Sequence, residues 1–266
     1  MSVRVGVSTA CLYPMETEKA LSQVCEFSPE CTEIFINSDC ELEKDFLKGM
    51  KNTLVKSGTA CVSLHPYTCG IEPMMLFTHY ERRFTDMLEY HKKYFDAMNY
   101  LGAEKFILHG NKPENKFSDE DYFERYERLY DLGKTFGVTV TQENVSRCTG
   151  GNLDFLVKMK NTLGEKAKFT LDVKQAVRKG YSPYEFVKKL GNSIVHIHLS
   201  DHNDKTDCGV VGCGDLDFER FLTELKGVGF DGDMVLELYR WGFSDADDLA
   251  LNYQYIKDVT QKINFT

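Results

Sequence analysis

Eight short runs of apolar and β-branched residues alternate with longer segments of helical period along the whole chain. Apolar strands suit burial on both faces, and regular alternation of strand and helix is typical of a parallel sheet. Eight such units in 266 residues predict the α/β class and a single TIM-barrel domain, a closed (β/α)8 barrel over residues 1–266. The predicted strands cover residues 3–9, 32–37, 61–66, 105–110, 138–144, 168–173, 194–201 and 234–239.

The alternative for this pattern is a doubly wound open sheet. The first strand-to-helix turn of that fold usually carries a glycine-rich phosphate-binding fingerprint, and the corresponding stretch here, "STACLYPMETE", has none. The sequence also has no linker rich in Pro, Gly or Ser that would divide the chain. The closed barrel is therefore the favoured fold.

The helix boundaries carry recognisable signals. Four helices are expected to end in glycine, which tolerates the left-handed conformation, at Gly58, Gly102, Gly137 and Gly229. Ser118 and Ser244 precede acidic segments of helical period. We expect both serines to cap the helices that follow, because a serine oxygen can accept early backbone N–H groups.

The charge balance restricts the partners of the chain. With 32 basic and 41 acidic residues the net charge is -9 and the pI about 5.3. Binding to a nucleic-acid backbone needs clustered Lys and Arg, so nucleic acid is disfavoured as a partner.

The start, "MSVRVGVSTACL", has no signal-peptide pattern, and no run reaches the roughly 18 apolar residues of a membrane span. The nine cysteines lack CxxC spacing, so we expect reduced thiols, mostly in the core, and a cytoplasmic protein.

Polar residues recur near the C-terminal ends of predicted strands three to eight. Barrel enzymes build their sites at that end, where residues from different strands converge. A charged side chain inside a buried strand is costly unless it has a partner. The residues are, in chain order, His65, His109, Glu143, Asp172, His196, His198 and Glu237.

Convergent carboxylates would repel one another, and a divalent cation removes that repulsion. Glu143, Asp172, His198 and Glu237 form a mainly hard oxygen set with one imidazole, which favours Mn²⁺ and also suits Zn²⁺, Co²⁺ or Mg²⁺. His196 and His198 share a strand face, but His198 lies nearer the C-terminal end. We therefore expect His198 to be the ligand and His196 to be a supporting or core residue.

Each of these residues also has a structural interpretation. A strand histidine alone is more often a hydrogen-bonded core residue, Glu143 could begin a loop, and Asp172 could belong to a turn or cap. Glu237 fits such an interpretation least, because it lies inside the apolar run "MVLELY". The coincidence across several strands favours a shared site. The histidines on predicted helices or in a loop are expected to be solvated: His79, His91 and His202.

The last third of the chain carries the most specific pattern. The stretch "HIHLSDHNDKTDCGVVGCGDLDFERFLTELKGVGFDGDMVLELY" resembles the HxHLxD … GxGxxDF … LxxxGxxGxxxxE pattern of the sugar phosphate isomerase/epimerase family of xylose-isomerase-like TIM barrels. That superfamily also contains the endonuclease IV family, and the resemblance covers essentially the whole chain. It implies that Glu143, Asp172, His198 and Glu237 bind one catalytic divalent metal ion.

The resemblance also implies contacts with a substrate. "ENVSR" matches the E-x-x-x-R of ketose 3-epimerases in this group, which makes Arg147 a candidate substrate-binding residue. A solvent-facing loop charge is the alternative for Arg147. The family often has D-x-x-H after strand six, whereas "DVKQ" here places Gln175 at the histidine position. Glutamine can hydrogen-bond a substrate hydroxyl but cannot shuttle a proton. His109 is the third candidate for substrate binding.

Endonuclease IV enzymes bind additional zinc ions, and the resemblance to them is partial. Their D-x-H before the glycine turn is replaced here by Thr206 and Cys208, which together with Gln175 changes the ligands of a third zinc. His65 and His109 match histidines that serve a further zinc in that family. They are candidates for a second metal site, bridged by Glu143.

Together these features predict a divalent-metal-dependent isomerase, either a ketose epimerase or an aldose–ketose isomerase, whose partner is a sugar or sugar phosphate. Glu143 and Glu237 would act as the acid/base pair around an enediolate intermediate. The amides that follow "GCGDL" could hold a substrate phosphate, with a tight structural turn as the alternative. The alternative functions are an endonuclease IV-like abasic-site phosphodiesterase and a non-catalytic sugar-binding barrel. We expect no membrane partner, and a homo-oligomer is left open.

Overall fold

The eight predicted strands form one closed barrel in which neighbouring strands are parallel. The structure is a computed structural model that describes residues 3–265, apart from the side chain of Cys69. The barrel strands follow chain order around the ring, and the last pairs with the first, which confirms the predicted (β/α)8 barrel. The barrel strands are β1 (Arg4–Ser8), β2 (Cys31–Ile36), β3 (Ala60–Pro66), β4 (Lys105–Leu108), β5 (Thr139–Glu143), β6 (Phe169–Asp172), β7 (Ile194–Leu199) and β10 (Asp233–Leu236). Between β7 and β10, the strands β8 (Asp201–Asn203) and β9 (Thr206–Gly209) form a hairpin outside the barrel.

Helices connect the barrel strands and cover the outside of the ring. At 21 residues α4 is the longest of those described, and none of the described helices is both long and apolar enough to cross a membrane. The helices are α1 (Thr17–Glu26), α2 (Lys44–Ser57), α3 (Glu72–Met75), α4 (Glu81–Leu101), α5 (Asp119–Thr135), α6 (Leu153–Leu163), α7 (Val173–Arg178), α8 (Pro183–Leu190), α9 (Phe218–Gly227) and α10 (Ala246–Lys262).

The inside of the barrel holds a buried group of polar side chains, and the main apolar core lies between the strands and the helices. His196 on β7 contacts Glu33 on β2, although β10 and β1 lie between these strands in the ring, so the contact crosses the interior. Ser63 on β3 joins the same buried group. Residues that alternate with the histidines, Ile197 and Leu199, point the other way into the apolar core.

Two predicted helix caps have different outcomes. Ser118 caps α5 as predicted, because its Oγ accepts the N–H of Asp121 at 3.1 Å. The prediction for Ser244 is wrong: the cap of α10 is Asp245, whose carboxylate accepts the first amides of the helix. The N–H of Ser244 instead donates to Asp248 at 2.8 Å. Asp245 is one residue closer to the helix than Ser244, so its carboxylate accepts the backbone N–H groups of the first turn that have no partner within the helix.

The expectation that His91 is solvated is also wrong. Its ring is fully buried on α4, where Nδ1–H donates to the carbonyl of Met87 at 2.7 Å and the ring packs edge-on against Phe106. Burial lowers the pKa of His91 to about 4. His91 is therefore a neutral core residue, whereas His79 is exposed and His202 is half-buried.

The glycine-containing turn before α9 is organised by Asp201. Its carboxylate accepts the amides of Gly212, Gly214 and Leu216 at 2.8–3.1 Å. These amides are thus already satisfied inside the protein. The geometry favours a tight structural turn over a phosphate site.

Candidate active site and metal centre

The four predicted metal ligands meet at the C-terminal mouth of the barrel. Glu143 and Asp172 are the last residues of β5 and β6, His198 lies near the end of β7, and Glu237 follows β10 by one residue. Asp172 pairs directly with His198 in the sheet, and the N–H of Glu237 donates to the carbonyl of Leu199. One donor atom from each of the four side chains lies within 4.8 Å of every other donor. We refer to Glu143, Asp172, His198 and Glu237 as the donor cluster.

The Nδ1 atom of His198 faces the three carboxylates of the cluster. It lies 2.8 Å from Glu237 Oε2, 3.5 Å from Glu143 Oε1 and 3.7 Å from Asp172 Oδ2. Nδ1 of His198 and Oε2 of Glu143 are buried and have no aligned hydrogen bond. Buried polar atoms without hydrogen bonds are rare, and here they converge with further carboxylate oxygens on one point.

Glu33 supports His198 from inside the barrel, and the sequence analysis did not identify it. Nε2–H of His198 and Nε2–H of His196 both donate to Glu33 Oε2, each at 3.1 Å. Ser63 and Ser8 donate to the same carboxylate. The signal was available, since Glu33 is an acid inside the apolar run "TEIFIN", the argument that drew attention to Glu237.

His65 and His109 form a second group beside Glu143. Their Nε2 atoms are 2.9 Å apart, and Glu143 Oε2 lies 3.0 Å from His109 and 3.8 Å from His65. One donor atom from each of the three residues lies within 4.8 Å of the others, as in the donor cluster. The structure therefore brings His65 and His109 to Glu143, and a second metal ion at this point stays a prediction.

Lys174 is the other functional candidate that sequence reasoning missed. It is the second residue of α7, two positions after Asp172, and its side chain is 5% exposed. Its ammonium donates to Asp172 Oδ2 and, at 2.7 Å, to Glu237 Oε2. A lysine in the first turn of a helix opposes the helix dipole, and this was the available signal.

A cavity of about 690 Å³ opens above these residues, a volume typical of small-molecule sites. Glu143 and Glu237 of the donor cluster line it together with His65 and His109. Trp241, 80% exposed, stacks on Tyr239 with ring centroids 4.4 Å apart. The lining includes His65, His109, Glu143, Arg147, Lys174, Gln175, Arg178, Glu237, Tyr239, Arg240 and Trp241.

Arg147, in the loop after β5, and Gln175, on α7, are both predicted to bind substrate, and they differ in their surroundings. Arg147 is exposed at the mouth and, within residues 3–265, makes no ion pair or hydrogen bond that would hold its guanidinium. Gln175 also lines the cavity, but its Oε1 accepts both N–H and Oγ–H of Ser146, at 3.0 and 2.8 Å. Gln175 thus anchors the loop that carries Arg147, and its NH2 group remains for another partner.

Residues 31–258 match the sequence model of the xylose isomerase-like TIM barrel family. The protein belongs to this family.

Solved structures of this barrel type superpose on nearly the whole chain. A D-tagatose 3-epimerase-like protein is 19% identical, with a TM-score of 0.80 and 98% of each chain covered. A D-allulose 3-epimerase from Methylomonas sp., in complex with D-allulose, is 17% identical, with a TM-score of 0.76 and 97% of each chain covered. An IOLI protein with a bound zinc atom is 17% identical, with a TM-score of 0.75 and 98% of each chain covered. At these identities the similarity shows the fold.

The electrostatics of this xylose isomerase-like site keep its glutamates ionised. Burial would raise the pKa of Glu143, but the neighbouring His109, His198 and His65 hold it well below its usual range. Burial would likewise raise the pKa of Glu237, but Lys174 and His198 hold it low. Both carboxylates are therefore available at neutral pH as metal ligands or proton acceptors.

Without a dication, the pKa values of Asp172 and His198 are both raised, for different reasons. Burial raises the pKa of Asp172 above its usual range, against the pull of Lys174. Burial would lower the pKa of His198, but Glu33 and Glu237 raise it well above its usual range. The raised pKa of His198 reflects the negative charge of the carboxylates around it, which a divalent cation would also balance.

The donor set fits a divalent metal ion. Three carboxylates and one imidazole are ligands used for Mn²⁺, Zn²⁺ and related ions. The donation of Nε2–H of His198 to Glu33 leaves the Nδ1 lone pair for a ligand, as in metal sites where a carboxylate orients the histidine. The unpartnered buried atoms of Glu143 and His198 face the same point.

Proposed function

We propose that the protein is a divalent-metal-dependent isomerase or epimerase that acts on a ketose or its phosphate through an enediolate intermediate. The observation that carries the proposal is the position of Glu143 and Glu237. Both are ionised, both line the cavity, and their strands lie on either side of the two strands that carry Asp172 and His198. The shared fold with 3-epimerases supports the same class of substrate.

Glu143, Asp172, His198 and Glu237 would hold the metal ion, with His198 oriented by Glu33. When bound, the ion would supply Lewis-acid polarisation of adjacent carbonyl and hydroxyl oxygens of an open-chain sugar. One glutamate would remove the proton from the carbon between these oxygens, and the other would deliver a proton to the opposite face.

The mouth of the cavity favours a substrate with a distal anionic group, such as a sugar phosphate. Arg147 and Arg240 line it, and neither guanidinium has a carboxylate partner among residues 3–265. Arg240 donates only to the carbonyls of Phe243 and Ser244. Two cations without acidic partners beside a cavity, in a protein of net charge -9, fit a negatively charged ligand.

The test is a metal-supplemented screen of free and phosphorylated ketoses and aldoses with purified protein. Mn²⁺, Zn²⁺, Co²⁺ and Mg²⁺ are added separately to chelator-treated protein, and products are resolved by chromatography. We expect conversion between epimers or isomers that depends on the ion and exchanges one carbon-bound hydrogen with deuterium from the solvent. Chelator-sensitive incision of an abasic duplex, without any sugar turnover, would replace the proposal by the endonuclease alternative.

Variants of the two glutamates test the assigned roles. Glu143→Gln and Glu237→Gln are each expected to reduce turnover by a factor of about 10³ or more, since removing a general acid or base costs about 10²–10⁴ and both residues also serve as ligands. Glu185→Gln, which changes the capping box of α8 outside the cavity, is the matched control. Activity like that of the unmodified protein in both site variants would refute the scheme.

A further inference from the structure

Lys174 contacts the same carboxylate oxygens that complete the donor cluster. Its ammonium donates to Asp172 Oδ2 and Glu237 Oε2, and these two oxygens also lie 3.7 and 2.8 Å from Nδ1 of His198. The carboxylates of Asp172 and Glu237 would also help to hold a divalent ion. The lysine and the ion would therefore interact with the same two carboxylates.

The fold directs Lys174 to this position. Asp172 ends β6 and caps α7, accepting the N–H of Gln175 at 3.1 Å, so the chain turns into a helix immediately after the ligand. This turn places Lys174 next to Asp172, and its largely buried ammonium pairs with the carboxylates of Asp172 and Glu237. A buried ammonium of this kind is stable only while it is paired.

Lys174 differs from an ordinary surface lysine because its charge lies among the carboxylates of the donor cluster. The donor cluster holds three carboxylates, of which those of Glu143 and Asp172 are buried and that of Glu237 is 15% exposed. The ammonium already balances one of these charges without any metal. Like charges at short range in a buried site repel strongly, so the same ammonium also acts against a dication that approaches those oxygens.

We propose that Lys174 is a resident cation of the donor cluster, whose ammonium opposes a divalent ion at the carboxylate oxygens that both contact. The affinity of the site for its metal is then set below that of the same four ligands without the lysine, and the bound ion is more readily exchanged. The proposal rests on the metal site of the proposed function, but on none of its sugar chemistry.

The first experiment measures metal affinity in the full chain by isothermal titration calorimetry with Mn²⁺ and Zn²⁺. Lys174→Met removes the charge and keeps the length of the side chain, and the Kd is expected to fall by about tenfold or more. Lys174→Arg keeps the charge and should stay within about threefold of the unmodified protein. An equal or higher Kd in Lys174→Met would overturn the proposal.

The matched control is Lys105→Met. Lys105 begins β4 and is paired with Asp233, which begins β10, so this ion pair lies at the other end of the barrel. Its side chain is also largely buried, at 12% exposed. Loss of this lysine is expected to lower stability without changing the Kd for metal, and a Kd that falls as far as in Lys174→Met would show a general charge effect and overturn the proposal.

A second measurement needs no lysine-free variant, in case Lys174→Met does not fold. In unmodified protein labelled with ¹⁵N-lysine, the Nζ resonance of Lys174, assigned by its loss in Lys174→Arg, is followed during titration with diamagnetic Zn²⁺. The resonance is expected to shift with the same midpoint as metal binding. No change at saturation would overturn the proposal.

The two proposals fail separately. A protein that shows the expected Kd values but converts no sugar fails the proposed function alone. A protein that converts sugar with metal, but whose Lys174→Met variant binds the ion no more tightly, fails the present proposal alone. Absence of metal binding in both proteins would overturn both.

Discussion

Glu33 accepts the Nε2–H of His198 at 3.1 Å, in a hydrogen bond that is fully buried inside the barrel. Because a carboxylate can only accept, Nε2 carries a proton in this bond. Nδ1 is then the nitrogen that faces the carboxylates at the mouth of the barrel. Since Glu33 lies on β2 and His198 on β7, the relationship spans the barrel rather than linking adjacent strands.

Glu33→Gln is expected to weaken metal binding by about 10–100-fold, because residues that orient a ligating histidine contribute about this much to affinity. The glutamine can still accept one hydrogen bond but no longer adds negative charge behind the imidazole. Titration calorimetry with Mn²⁺ measures the effect. Glu41→Gln, at a buried glutamate that bonds Thr17 and Asn37 outside the cluster, is the control. Unchanged affinity in Glu33→Gln would show that the bond does not orient the ligand.

Arg147→Ala is expected to raise KM for a phosphorylated substrate by about tenfold or more and to change kcat less, because a distal charge contact contributes mainly to binding. For the unphosphorylated sugar the change should be small. Steady-state kinetics with the matched pair of substrates measures the difference. Arg220→Ala, on the exposed face of α9, is the control. Equal effects on both substrates would argue against an anion contact at Arg147.

Glu72→Gln is expected to flatten the pH dependence of stability. Glu72 is buried on α3, its Oε2 accepts the N–H of Gly110 at 2.6 Å, and burial raises its pKa to about 8. Between an unfolded pKa of about 4.3 and the folded value, the folded protein retains a proton that the unfolded chain has lost. This group therefore lowers the free energy of unfolding by about 1.4 kcal/mol per unit as the pH rises from about 5 to about 8.

Urea denaturation at pH 5.5 and pH 8 measures this effect in Glu72→Gln and in Glu114→Gln, a loop glutamate used as the control. Only the first variant should be stabilised relative to the unmodified protein at pH 8. A decline of stability towards pH 8 that is the same in Glu72→Gln and the unmodified protein would exclude Glu72 as its source.

The same denaturation curves check the predicted single domain over residues 1–266, for which one cooperative transition is expected.

Asp201→Ala is expected to lower the free energy of unfolding by about 2–4 kcal/mol. Four amides, of His202, Gly212, Gly214 and Leu216, would lose their acceptor, and each unsatisfied buried group costs about 1–3 kcal/mol before water compensates. Chemical denaturation measures the loss. Asp204→Ala, at an exposed residue of the neighbouring hairpin, should change little. A similarly small effect of Asp201→Ala would mean that the amides find water.

The barrel and the donor cluster could be predicted because their signals are local in the sequence. Strand runs that end in Glu143 and Asp172 predict both the fold and where these two side chains lie, since all strands of a parallel barrel end at the same face. Glu33 and Lys174 could not be placed in this way. The first depends on which strands face each other across the ring, and the second on the direction of a side chain in the first turn of α7.

The misplaced residues have equally physical causes. His91 sits on a helix with many charged residues, and only packing against the barrel shows that its face is buried. Ser244 and Asp245 are both good cap residues, and the choice between them depends on where the first turn of α10 begins. Sequence patterns define a helix end only to within one or two residues.

The direct pairing of Asp172 with His198 means that two residues proposed to hold the ion belong to one hydrogen-bonded ladder in a ring without a free edge. A slip of β7 by one residue would turn both of its histidines outward and bring Ile197 towards the centre, which the closed ring prevents. Partial opening of the sheet is therefore no route for loss of the ion. We expect the time for which an ion stays bound to be governed by the water-facing side of the site, so that slow metal release reports on the loops at the cavity entrance and not on fluctuations of the barrel.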